Sequence, residues 1–126
     1  MSTWRREASE RLPELQHIIA SRDVESPMML WIELNAEFER MCSQTPAPIE
    51  LIRRLWGYCK WCLKHPDETV QTAAALAFCE HLLDSPARIA VLPKMIGREE
   101  FLGMRSLLEY HHTADKIDEC LKTLWG

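Results

Sequence analysis

The chain has 126 residues, 47% of them apolar and 27% charged, with a formal net charge of −4 and an isoelectric point near 5.7. That length and balance suit one globular domain with a real core. The acidic surplus argues against nucleic acid as the partner, because phosphate binding needs a concentrated Lys/Arg surface, and no stretch approaches the ~18 apolar residues of a membrane span.

Five cysteines at irregular spacing do not suggest a disulfide framework. The opening MSTWRREASERL lacks the apolar run of a signal peptide. Reduced thiols and a cytoplasmic location are the expectation.

Ser2 or Thr3 can cap a first helix, with Arg5, Arg6, Glu7 and Glu10 on its wet side. Pro13 either kinks it or opens a new helix over 13–21, with Leu12, Leu15, Ile18 and Ile19 inward. Residues 21–25 read as a polar link. Ser26-Pro27 is a capping hydroxyl followed by proline at the first helical position, which predicts a helix over Pro27–Cys42. Leu30, Trp31, Leu34, Phe38 and Met41 form its core stripe. Met29, Ile32 and Ala36 form a second apolar side, flanked by Glu33, Glu37 and Arg40. A helix apolar on two sides is buried twice or meets a partner. Cover by the first helix and a partner-binding surface are the two readings.

Residues 43–48 form a Pro-rich loop, and 49–65 a central helix. Ile49, Ile52, Leu55, Trp56, Cys59, Cys62 and Leu63 share one face; Leu51, Tyr58 and Trp61 widen it. So broad an arc calls for neighbours on several sides. Arg54, Tyr58, Trp61 and His65 line one flank, either as a seam beneath the second helix or as a recognition surface. His65-Pro66 ends this helix. Asp67 caps the next, which is expected to reach about Leu83, with Ala73, Ala74 and Ala77 packed close against the central helix. Further helices are expected over 86–92, stopped by Pro93, over 98–111, and, capped by Thr113, over Ala114–Trp125. No stretch alternates with period two, so no sheet is expected.

The segment LKHPDETVQTAAALAFCEHLL resembles the second half of a HEAT or armadillo repeat, with a Pro-Asp turn leading into an Ala-rich helix. No second copy recurs at a ~40-residue period, so a solenoid is not implied. From the WCL-HPD turn through AFCEHL and DSPA to LLEY the chain is also similar to a family of short, uncharacterised bacterial all-helical domains. That resemblance implies an all-helical fold and brings no activity or site residues. The fold expected is one all-α domain over 1–126, a compact bundle of six or seven helices with a HEAT-like central pair.

Cys59-x-x-Cys62, with His65, Cys79 and His81 nearby, is the strongest metal pattern. On a continuous helix, however, Cys79 and His81 diverge, and the first two cysteines sit mid-stripe as buried hydrophobes do. His81 reads as a core histidine, and His111-His112 as a helix C-terminal cap. No carboxylate pair, glycine loop or serine elbow carries catalysis. The expectation is therefore a non-enzymatic protein with no metal and no cofactor. It would be an acidic interaction module, of immunity or adaptor type, binding a basic protein partner through Met29, Ile32, Glu33, Ala36, Glu37 and Arg40. Neither nucleic acid nor membrane is a partner on this reading, and a homodimer through the same helix is compatible with it. The alternative is a small-molecule sensor or enzyme with a pocket between the central helix and its neighbours.

Overall fold

Four side-chain caps set the helix starts in the computed structural model, which describes residues 2–126. Ser26 accepts from the Met29 amide, Asp67 from Thr69, Ser85 from Arg88 and Thr113 from Lys116. Each satisfies an amide that the first helical turn leaves without a partner. The elements are α1 (Thr3–Arg11), a 3-10 turn (Pro13–Leu15), α2 (Gln16–Ile19), α3 (Pro27–Cys42), α4 (Ile49–Leu63) and α5 (Glu68–Ala77). A second 3-10 turn (Cys79–His81) leads into α6 (Pro86–Met95), α7 (Arg98–Gly103), α8 (Arg105–Leu108) and α9 (Ala114–Trp125). The bundle is all-helical, with no strand among the described residues. It has nine α-helices there rather than six or seven: the stretch 1–21 is divided at Pro13 into α1 and α2, and 98–111 into α7 and α8, while the helix expected to reach Leu83 is cut short.

One break follows α5. The helix stops at Ala77 rather than near Leu83, since Phe78 leaves the helical region (φ −127°, ψ −61°). The other divides 98–111 at Gly103-Met104, where glycine weakens the helix. Pro93 acts the opposite way. It sits inside α6, which runs on to Met95 instead of stopping. Proline there costs a backbone bond, but Leu92 before it and Met95 and Ile96 beyond it are all buried, and Arg53 Nε donates to the Lys94 carbonyl at 2.8 Å.

The centre of the core is aromatic. Trp31 of α3 lies 5.3 Å from Tyr58 of α4 and 5.0 Å from Phe78, and Phe38 meets Phe78 edge-on at 5.0 Å. Such pairs add to area burial by about 0.5–1.5 kcal/mol each. α5 does pack on α4, but its larger contact is with α3. Ala73 and Ala74 are fully buried, so there is no room for longer side chains. Ala74→Leu should overpack this junction and cost about 1–3 kcal/mol in a denaturant titration. Wild-type stability in that variant would show the junction to be loose.

α1 packs on α4. Tyr58 donates its hydroxyl to the Trp4 carbonyl at 2.8 Å, and Arg54 donates to the Arg11 carbonyl at 3.0 Å while pairing with Glu14. At Gly57 an added Cβ would stand 3.1 Å from Arg11 Nη1. Arg54 and Tyr58 of the flank therefore form a seam with α1 as well as with the second helix, while Trp61 and His65 are half-buried. Tyr58 is buried in the seam, and Trp61 stacks on Tyr58 at 6.0 Å. Since α1 is spent on α4, it does not cover the second apolar side of α3.

Candidate functional site

Of the α3 surface residues, Met29, Ile32, Glu33, Ala36 and Arg40 are exposed and Glu37 is half-buried. Met29 and Ile32 are 39% and 54% exposed, large apolar side chains left in water by a helix whose other side is fully buried. Capping by Ser26 fixes the helix rotation that presents them. Glu37 and Arg40 pair with one another, Arg40 Nε donating to Glu37 Oε2 at 2.9 Å, so they add little net charge. The acidic character of this face comes from Glu33 together with Asp23, which lie in no ion pair among the described residues.

A groove of about 370 Å³ opens beside the first turns of α3. Ile18 and Val24, both buried, form its base, with Met29 and Ile32 beside them. Asp23 and Glu33 bring carboxylates to its lining, and His17 and Ser21 complete it. Val24 could have signalled this in the sequence, being the lone apolar residue in an otherwise polar link. The link is held in place by Arg5, whose two terminal nitrogens donate to the carbonyls of Ile19 and Val24. Arg5 in turn lies over the Trp4 ring, 4.9 Å from its centroid. Two other concavities open at Glu109–Ala114 and between α6 and α9, and none of the three touches α4.

A second cluster escaped sequence reasoning. The break after Ala77 turns Glu80 inward, only 4% exposed, and His81 outward to half-burial. His111 Nε2 lies 2.8 Å from Glu80 Oε1, and its ring stacks on His81 at 4.7 Å. Asp84 stands between His81 Nδ1 (2.6 Å) and His112 Nε2 (3.2 Å). Thus His81 is not a core histidine, and His111-His112 do more than cap a helix end. No three His, Cys, Asp or Glu side chains among the described residues converge where an ion would fit.

Burial first, and Lys116 second, hold the His112 imidazole below its ordinary 6.5. Above 6.5 the folded and unfolded chains both carry it neutral. As the pH falls below 6.5 the unfolded chain takes the proton first, so stability is lost on acidification. The melting temperature should be lower at pH 5.5 than at pH 7.5, and His112→Gln should shrink that difference. An unchanged difference would acquit His112.

The thiols are placed as packing groups. Cys59 and Cys79 approach to 3.5 Å between sulfurs, both fully buried and free. Desolvation drives the Cys59 thiol well above its usual range, and burial pushes Cys42 and Cys62 up to about 11. Thiols so placed stay protonated near neutrality, whereas the nucleophile and metal ligand is the thiolate. Among the described residues no helix is long and apolar enough to cross a membrane. Comparison with known proteins found no match among family models, curated proteins or solved structures.

Proposed function

We propose that this protein is an interaction module, of adaptor or immunity type, that holds a basic protein partner on the outer face of α3. A HEAT-type α4–α5 pair serves as its rigid backing. The observation that carries this reading is the exposure of Met29 and Ile32 on a helix already buried along its opposite side. An apolar centre rimmed by charge is the usual anatomy of a protein-binding patch. The carboxylates of Asp23 and Glu33, in no ion pair among the described residues, favour a basic partner and speed its approach. The same charges work against a second copy of this chain, because a two-fold interface would set like charges face to face.

The test uses tagged full-length chain as bait in its native host. A single basic protein should be retained by wild type, lost with Ile32→Asp and with Glu33→Lys, and kept by Leu76→Asp, which alters an exposed apolar residue on α5. An acidic partner, or retention indifferent to the α3 substitutions, would overturn the proposal.

A further inference from the structure

Resting on that reading, we infer that the groove between α2, the link 20–25 and the start of α3 seats one large apolar side chain of the partner, beside a lysine or arginine held by Asp23 and Glu33. The base supplied by Ile18 and Val24 is apolar and buried, and Met29 and Ile32 extend it outward onto the exposed face of α3. Groove and face therefore form one continuous surface through these two side chains. A partner side chain entering the groove would be anchored where the surrounding face excludes water, the arrangement in which single side chains dominate binding.

The groove is preformed. Arg5 fixes both ends of the link by donating to Ile19 and Val24, and Ser21 Oγ accepts from the Asp23 amide at 3.2 Å. A surface already in its bound shape forfeits less conformational entropy on association.

Its chemistry suits a peptide side chain better than a free small molecule. At about 370 Å³ it stands at the low end of ligand cavities, which run roughly 300–1,000 Å³ and carry a few convergent polar groups. None of the polar side chains lining it is both buried and unpaired. Among the described residues neither Asp23 nor Glu33 lies in an ion pair, His17 is the one basic side chain in the lining, and Arg22 is the sole Lys or Arg in the link against Asp23 and Glu25. The complement of an apolar base with a carboxylate rim is an apolar side chain with a cation beside it.

A random 12-residue peptide library displayed against the immobilised full chain at low salt tests this. Enriched peptides should pair Leu, Met or Phe with an adjacent Lys or Arg. Ile32→Ala, which enlarges the groove, should shift the enriched anchor toward Phe and Trp. Asp23→Lys with Glu33→Lys should weaken the selected peptides at least ~10-fold. Peptides lacking the pairing, no enrichment, or pairs indifferent to these variants would overturn the groove assignment. Should those indifferent peptides still be lost on Ala36→Asp, the outer face stands as a docking surface and only the groove falls. Loss from neither region would remove both. A wild-type dimer in sedimentation that Ile32→Asp dissociates would assign the groove to a second copy and overturn the inference.

Discussion

Arg88→Ala should lower stability by about 3 kcal/mol, on the order of 10 °C in melting temperature for a chain of this size. Arg88 is 4% exposed, a burial that charged residues sustain only when paired. Its Nε donates to Glu39 at 2.7 Å, Nη1 to the Asn35 side chain at 2.8 Å and to the His81 carbonyl at 3.0 Å, and the guanidinium lies over Phe38 at 5.2 Å. One side chain thus ties the start of α6 to the middle of α3 and to the turn after α5. Removing it leaves part-buried acceptors on Asn35 and His81 without their donor, at the lower end of the ~1–3 kcal/mol that an unsatisfied buried group costs. Glu39, which Arg88 holds below the usual carboxylate range, is open enough to regain water, which keeps the estimate at the lower end of the 3–5 kcal/mol for broken buried pairs. Arg88→Lys keeps the charge without the fork and should recover only part of the loss. A change under ~1 kcal/mol for Arg88→Ala in a two-state thermal melt would mean the network does not hold these helices together.

Ile32→Asp should leave the fold intact and abolish partner binding. At 54% exposure the new carboxylate stays in water, so its cost is confined to the ~0.5 kcal/mol typical of surface changes. For contrast, Leu34→Asp, two positions on and fully buried, should prevent folding by placing an unpaired charge in the core. In binding the order reverses. A charge at the centre of an apolar patch should cost at least ~2 kcal/mol, about 30-fold in affinity. A steep fall in melting temperature for Ile32→Asp would revive cover by α1, the account that the packing of α1 on α4 now displaces.

Where local chemistry decides, the sequence was readable. Ser26-Pro27 and Thr113 marked helix starts to the residue, and Pro27–Cys42 and Ala114–Trp125 carry the expected bounds. The exposed face of α3 was legible for the same reason: Met29, Ile32 and Ala36 share a side that the core stripe does not need. Reading failed where tertiary packing overrode a local rule. Nothing at Phe78 announces a break, since neither glycine nor proline stands there, and the helical wheel extended past Ala77 put His81 in the core, whereas it is half-buried and Glu80 beside it is the buried one. The cluster joining them to His111 and His112 spans about thirty residues of sequence and depends on that break, so no spacing pattern contains it. Pro93 is the converse, a local stop signal outvoted by buried side chains on both sides. The groove was missed because its base is shared between α2 and the link, whose docking onto α3 is set by Arg5, a residue that reads as solvated.

Site-specific photo-crosslinking tests the docking surface most directly. The fold tolerates benzoylphenylalanine at position 29 or 32 because both side chains are exposed, and positions 76, on α5, and 110, in the turn after α8, offer exposed controls. In the native host, positions 29 and 32 should yield one shared adduct with a basic protein, which disappears when Glu33→Lys is added. Positions 76 and 110 should not give it. The same adduct from all positions, an adduct with another copy of the chain, or none from 29 and 32 would contradict the assignment of this face.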